Sequence, residues 1–349
     1  MLARGGARVL LVERTDFPRE KACGDGLAPR ALAQLSDLGI EIAADPRIDL
    51  VRIWSPDEPS KHVALQVQGR SGTTLARLGL DERLARAAAE SGAELYNRTT
   101  VEALVVEGGG VCGVRIRSAR GAGEIVRAPV TILAEGSAGG LARQVPLPAA
   151  RHERERCFAV RRYFDGVRWE GPPAFEFVIP IEVGGEPLAG YGWIFPMPDG
   201  RANVGLGRLA EAGCTTQLRS LLEWFEQMLR RNDVRFVSAR SAGAAIGGPI
   251  LIGGTGATSH APGLLLVGDS ARRPDPLWFE GISRAVESGV LAARSALSFL
   301  SDGSPLESYG RALAGLDPDL DRIGASLSCV HHNLRRVSRD VKDFFSTPN

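Results

Sequence analysis

The chain has 349 residues, enough for a large core and two intimately connected domains. Its charged residues make up 24% of the total and sum to +1, which argues against a nucleic-acid footprint or an acidic tail. No apolar run approaches the length of a membrane span, and the five cysteines are scattered without a C-x-x-C pair, which suits a reduced cytoplasm and gives no zinc pattern.

The N-terminal stretch MLARGGARVLLVER lacks a small-residue cleavage site and does not read as a signal peptide. Residues 2–6 read as the last turn of a helix closed by glycine, followed by a strand over 8–13. Pro29 opens a short helix with Leu32, Leu35 and Leu38 on one face and Gly39 at its end. Between 45 and 75, the alternation of Val51 with Ile53, and of Val63, Leu65 and Val67, predicts strands of an antiparallel layer. An alanine-rich helix is predicted over 81–91, stopped by Gly92, with strands at 93–96, 101–107, 111–118 and 124–127. The apolar run 130–134 then reaches EGSAGG.

From about 155 the texture changes. CFAVRRYFDGV, AFEFVIPIEV and AGYGWIFPMPDGRANVGLG alternate apolar and polar residues, hold most of the aromatics, and predict a second antiparallel sheet. Residues 216–231 place Leu218, Leu221, Leu222, Phe225, Met228 and Leu229 on one helical face, which reads as a cover for a sheet rather than a membrane-binding helix. GLLLVGDSA over 263–271 returns to a buried parallel-type strand, and a helix follows over 282–300. The fold class is therefore α/β, a Rossmann-like dinucleotide-binding domain with an inserted antiparallel-sheet substrate domain. The expected divisions are 1–150 for the first part of the nucleotide domain, 151–250 for the sheet domain, and 251–349 for the second part with C-terminal helices.

The run Val9 to Val12 ends in Glu13, as the second strand of a dinucleotide-binding fold ends in a carboxylate that holds a ribose. That carboxylate normally lies about 20 residues beyond a G-x-G-x-x-G loop. Only twelve residues precede Glu13, so the first strand and the glycine loop are expected to fall before residue 1, leaving the domain incomplete at its N-terminus. Taken alone, an acidic residue at a strand end is usually just solvated. ILIGGTGATS at 250–259 imitates the fingerprint with Gly254 and Gly256, but Pro262 and Gly263 follow where a helix is needed, so it reads as a loop. The histidines offer no H-E-x-x-H spacing, and His331 and His332 point to different helix faces; no metal site is expected.

Four stretches, in order and spacing over nearly the whole chain, resemble the geranylgeranyl reductase family of FAD-dependent oxidoreductases, relatives of the aromatic-hydroxylase-type flavoproteins. They are LLVERTDFPREKACGDGLAPR, ARLGLDERLARAAAESGA, YGWIFPMPDGRANVGLG and LLLVGDSARRPDPLWFEGISRAVESG. The resemblance implies FAD as cofactor, with Glu13 on the adenosine ribose, Arg14 next to it, and Arg77 as a fixed charge beside the phosphate and ribityl region. Gly268 and Asp269 would meet the ribityl chain, and the N–H groups of Gly281 and Ile282 would meet the flavin pyrimidine at a helix N-terminus. Cys23 would lie near the isoalloxazine ring as the catalytic thiol, although a buried, inert cysteine is the plainer alternative. Tyr191, Trp193, Phe195 and Pro196 would wall the substrate pocket; aromatics at strand spacing are also what a core carries.

The implied activity is hydride transfer to an isoprenoid double bond of a prenylated lipid or quinone. The expected reductant is NAD(P)H or another donor, and the expected location is cytoplasmic, in peripheral contact with a membrane. Two departures from the family pattern stand out: Arg272 and Phe279 occupy positions where it has glycine, putting bulk where backbone approaches the cofactor. The competing readings are a flavin monooxygenase of an aromatic or polyketide, and a truncated, non-catalytic paralogue that has lost FAD.

Overall fold

The computed structural model describes residues 1–56, 62–66, 71–118, 121–145, 156–183, 186–210, 217–252 and 258–316, together with 336 and 339–340. Val67, Cys214, Gly254, Gly256, Cys329 and the His331–His332 pair lie outside these residues.

A 3-10 turn at Ala3–Gly5, closed by Gly6 at φ 86°, leads into β1 (Leu10–Val12). This strand runs parallel to β6 (Glu94–Tyr96), with Leu10 opposite Glu94 and Val12 opposite Tyr96. Between them come β2 (Gly26–Leu27), α1 (Pro29–Asp37), β3 (Leu50–Trp54), β4 (His62–Gln66), β5 (Thr73–Thr74) and α2 (Arg77–Glu90). Pro29 starts α1 where its missing N–H is no loss, and Gly39 follows the helix end at φ 73°. Helix α2 begins one turn earlier than the alanine-rich segment at 81 predicts. Arg77 pairs with Asp81 at 2.7 Å, and Leu80 is buried with Leu27 and Leu35, which together offset the helix penalty of Gly79.

Strands β7 (Thr99–Glu107), β8 (Gly110–Ser118) and β9 (Gly121–Arg127) form an antiparallel meander. The chain then enters β10 (Thr131–Leu133), which pairs parallel with β19 (Leu264–Leu266); β18 (His260–Ala261) lies antiparallel on the far side of β19. Among the described residues β1 pairs only with β6, and β10 only with β19. Helices α4 (Ile282–Asp302) and α5 (Glu307–Ala314) pack on this return strand, where Ala292, Ala296, Tyr309 and Leu313 share a core with Leu264, Leu265 and Leu266.

A seven-stranded sheet supplies the other layer, in the order β17-β11-β16-β15-β12-β3-β4. Its members from the second half of the chain are β11 (Arg156–Asp165), β12 (Ala174–Val178), β15 (Gly190–Pro196), β16 (Ala202–Leu209) and β17 (Arg240–Leu251). A hairpin of β13 (Glu182–Val183) and β14 (Glu186–Pro187) links β12 to β15. The β12–β3 pairing is parallel and joins residues 174–178 to residues 50–54; the other pairings are antiparallel.

Side chains alternate across this sheet with period two. One face presents Val160, Phe164, Val178, Ile194, Val204 and Leu206 to α3 (Leu218–Asn232), which buries Leu221, Leu222, Phe225, Met228 and Leu229 in return. Each such fully buried side chain contributes about 1.5–3 kcal/mol, so the amphipathic stripe read from the sequence fixes α3 on the sheet. The opposite face carries Phe177, Tyr191, Trp193 and Phe195, with Asn203, Gly205 and Gly207 beside them on β16. That face is the floor of the candidate site.

Candidate active site

The segment KACGDG, residues 21–26, runs across this aromatic floor. A Cβ on Gly24 would lie 3.3 Å from both the Phe195 ring and Trp193 Nε1, and one on Gly26 would lie 3.2 Å from the Phe175 and Phe195 rings. The two glycines let the loop lie flat on the rings. Asp25 between them is fully buried and holds a left-handed backbone, φ 62°. Its Oδ2 accepts hydrogen bonds from the Tyr163 hydroxyl and from Asn203 Nδ2 (2.8 Å), and its Oδ1 accepts from the Arg77 N–H (3.3 Å). Its own N–H points to Cys23 Sγ at 3.3 Å. Asn203 also donates to the Cys23 carbonyl (3.0 Å) and accepts from Trp193 Nε1 (2.9 Å). Burial pushes the Asp25 carboxyl above the usual range, and Tyr163, Arg161 and Asn203 act against that push. The Arg161 guanidinium lies 4.2 Å over the Tyr163 ring and pairs with Glu20 at 2.7 Å.

Cys23 is a free thiol, half-buried by surface area, whose pKa burial raises while the Arg77 guanidinium pulls it down. Arg77 binds Asp81 through Nε (2.7 Å), Asp81 binds Arg19 (2.8 Å), and Arg19 binds Glu13 (3.2 Å). The other Glu13 oxygen accepts from the Thr15 N–H (3.1 Å) and hydroxyl (2.9 Å). Glu13, expected on the adenosine ribose, and Arg77, expected beside the phosphate and ribityl region, are thus the ends of one chain of ion pairs. Arg14 is exposed and has no ion pair among the described residues. Lys21 keeps solvent-accessible surface, yet protein atoms crowd its ammonium. That crowding lowers its pKa, as does Arg77, with Asp269 opposing.

Gly268, at φ 57°, donates its N–H to Ser288 Oγ (2.9 Å), and a Cβ there would lie 3.2 Å from Ala285. The next residue, Asp269, is raised by burial and held down by Lys21 and Arg77. Gly281, ahead of α4, lies against it: a Cβ there would be 3.6 Å from Asp269 Oδ1. The Glu280 carboxylate accepts from the Ser283 N–H (2.8 Å) and hydroxyl. Among the described residues the N–H groups of Gly281 and Ile282 donate to no protein acceptor, at the positive end of a 21-residue helix.

Arg272 and Phe279 both adopt left-handed backbones, φ 55° and 54°, so the turns that glycine makes in the family pattern persist here with side chains on them. The Phe279 ring packs on the aromatic face of the sheet. It stacks on Tyr191 (centroids 5.2 Å apart, planes 17° apart) over Gly207, whose added Cβ would lie 3.1 Å from it. Arg272 reaches the Ile252 carbonyl at 3.3 Å.

Tyr191, Trp193 and Pro196 are buried and Phe195 is half-buried. Phe177 meets Tyr191 and Phe195 edge-on at 5.3 and 5.5 Å, making one continuous aromatic layer. The Cys23 loop covers its Trp193–Phe195 end and Phe279 its Tyr191 end. The Pro196 carbonyl accepts from the Thr74 hydroxyl. Sequence reasoning did not find Asp25, Tyr163, Asn203, Lys21, Arg19 or Asp81. Asp25 and Lys21 sit inside the quoted loop, and Asn203, Gly205 and Gly207 share a period-two face that could have pointed to the floor. Tyr163 carried no local signal.

The description FAD binding domain applies to the family that matches residues 1–175. The chain is 31% identical over 310 residues to menaquinone reductase of Mycolicibacterium smegmatis, covering 83% of this chain and 71% of that protein. It is 30% identical over 306 residues to digeranylgeranylglycerophospholipid reductase of Methanosarcina acetivorans, covering 86% of this chain and 72% of that one. Its fold matches a geranylgeranyl bacteriochlorophyll reductase-like protein of Thermoplasma acidophilum (TM-score 0.77, 24% identity, 99% of this chain and 94% of that one). It also matches a flavin-dependent brominase (TM-score 0.75, 20% identity, 99% and 87%).

FAD is the cofactor these findings indicate. The unpaired N–H groups at the start of α4, the Lys21 ammonium and the Asp269 carboxylate are groups that fit its polar and anionic parts. The chain belongs to the geranylgeranyl reductase family of FAD-dependent oxidoreductases, alongside the menaquinone and digeranylgeranylglycerophospholipid reductases.

Proposed function

We propose that this chain reduces an isoprenoid double bond carried by a quinone or a lipid. The observation that carries the reading is the aromatic floor: Phe177, Tyr191, Trp193 and Phe195 form an apolar layer suited to a hydrocarbon chain, directly under the Cys23 loop. The names of the relatives at about 30% identity, a quinone reductase and a prenyl-lipid reductase, support the same substrate class.

Bound FAD would supply the hydride. In this reading Glu13 holds the ribose and Arg77 and Lys21 face the negatively charged parts of the cofactor. Asp269 accepts from ribityl hydroxyls, and the Gly281 and Ile282 N–H groups stabilise negative charge at the helix end. One alkene carbon takes the hydride and the other takes a proton. Cys23 is the group placed to give that proton, because burial keeps its thiol protonated near neutral pH while Arg77 stabilises the thiolate left behind. The reductant, NAD(P)H or another donor, and peripheral contact with a membrane belong to the same proposal. Among the described residues no helix is long and apolar enough to cross a membrane.

The test is anaerobic incubation of the FAD-loaded chain and dithionite or NADPH with menaquinone or a digeranylgeranyl phospholipid. After the samples are reoxidised in air, which returns any quinol ring to the quinone, mass spectrometry should find product that has gained one pair of hydrogens in its prenyl chain. Protein with a flavin spectrum that leaves both substrates unchanged refutes the proposal, and oxygen uptake with hydroxylation of an aromatic would point to a monooxygenase instead.

A further inference from the structure

Both ends of the aromatic floor are covered, but the two covers differ in kind. The Cys23 loop is fastened through Asp25 to Tyr163, Asn203 and Arg77. Over Tyr191 the cover is the stacked Phe279 ring, with Trp278 tilted beside it (centroids 6.1 Å apart), and Phe279 is held on a backbone at φ 54° that a bulky residue rarely adopts. An outlier of this kind, on a segment touching a functional surface, is a reason to look for a role.

Its neighbours show what the ring does. Gly207 on β16 leaves the hollow that the ring fills, and the Tyr191 hydroxyl donates to the Trp278 carbonyl, tying the segment to the floor. Trp278 stands at the outer rim, 42% exposed, with its ring 5.2 Å from Phe177. With glycine at 279 the same turn would form without strain, and the face of Tyr191 and the hollow over Gly207 would lose the ring that covers them, leaving Trp278 at the rim.

We propose that Phe279 is a specificity-determining residue, a plug that closes the Tyr191 end of the aromatic floor and limits the length of prenyl chain the floor accepts. The inference rests on the prenyl-substrate reading above. It predicts that the wild-type chain takes a short prenyl tail in preference to a long one, and that removing the ring reverses the order.

The test is a titration of FAD-loaded wild-type, Phe279→Gly and Phe279→Ala proteins with farnesol and geranylgeraniol, followed by tryptophan fluorescence. A parallel assay measures, after reoxidation of the ring, the hydrogens gained by the prenyl chain of menaquinone. Glycine suits the backbone and alanine does not, so a gain shared by both variants reports the ring and not the strain. The expected result is geranylgeraniol binding roughly tenfold tighter in both variants, with farnesol little changed. Unchanged chain-length preference in the variants, while the wild type still reduces a prenyl tail, overturns the plug and leaves the functional reading standing. Tighter geranylgeraniol binding without reduction by any of the proteins upholds the plug and overturns the reading. Absence of both binding and reduction in all three overturns both.

Discussion

Asp25 is the residue whose removal should be felt most. Its side chain is fully buried and takes three donors: the Tyr163 hydroxyl, the Asn203 amide and the Arg77 N–H. In Asp25→Ala each of these loses its acceptor, at about 1–3 kcal/mol per buried donor left unmade. The Arg77 bond at 3.3 Å is the weakest, and deleting a desolvated carboxylate returns part of the loss. A net cost of about 2–4 kcal/mol remains. Asp25→Asn keeps one acceptor oxygen and tolerates φ 62°, so it should cost about half as much. Asp25→Gly loses the same bonds as alanine but relieves the backbone, and should be about 1 kcal/mol more stable than the alanine variant. Denaturant unfolding ranks the three, and the rate of Cys23 alkylation should rise in the same order as stability falls, because the Asp25 N–H and the Asn203–Cys23 contact position that thiol. An alanine variant within about 0.5 kcal/mol of wild type, or an asparagine variant as damaged as alanine, would refute the reasoning.

The remaining expectations are simpler to state. Glu13→Ala should weaken FAD retention by roughly tenfold or more, read from the flavin absorbance left after dialysis; full retention removes Glu13 from the site. Burial raises the Asp269 pKa, so the folded state binds its proton more tightly than the unfolded chain. Its ionisation therefore lowers stability as pH climbs through the raised value, and Asp269→Asn should flatten that part of the apoprotein stability–pH curve. An unchanged slope would show that Asp269 is not the group titrating. Gly205→Ala would put a Cβ 2.2 Å from Trp193 Cζ2 and 2.5 Å from the Val160 carbonyl, and should cost about 3 kcal/mol or abolish soluble expression. Gly248→Ala in β17, separated from β16 by β11, meets nothing within 4 Å and should stay within about 0.5 kcal/mol of wild type.

Much of the scaffold was legible because its periodicities are local. The stripe from Leu221 to Leu229 fixed the face of α3, and GLLLVGDSA gave the return strand that pairs with Thr131–Leu133. The alternation of Val63 and Leu65 correctly located β4, but that strand lies at the sheet edge, where Leu65 is 53% exposed, so the pattern did not mean burial. The start of α2 was hidden because Gly79 reads as a breaker, and the burial of Leu80 that outweighs it is a tertiary fact. The network around Cys23 was beyond any local pattern. Asp25 meets Tyr163 and Asn203 across separations of 138 and 178 residues, and only the packing of the loop on the sheet brings them together.

The two missing glycines show how far a sequence pattern can stand in for a backbone. Arg272 and Phe279 read as replacements that spoil close approach to a cofactor, because glycine is the residue that makes such turns cheaply. Both turns nevertheless form, at φ 55° and 54°, against a penalty of roughly 1–2 kcal/mol each. What holds them lies outside the motif: Gly268 fitted against Ala285, the Asp269 carbonyl accepting the Arg272 N–H at 2.9 Å, and the Asp275 carbonyl accepting the Phe279 N–H at 2.9 Å. The surrounding fold thus specifies the path of the chain, and the identity of the residue decides what the path carries. At 279 that is a ring laid on Tyr191, which leaves the N–H groups of Gly281 and Ile282 unpaired and changes the aromatic floor instead. Under the proposed prenyl-substrate reading, the departure at 279 would bear on which substrate fits more than on whether the cofactor does.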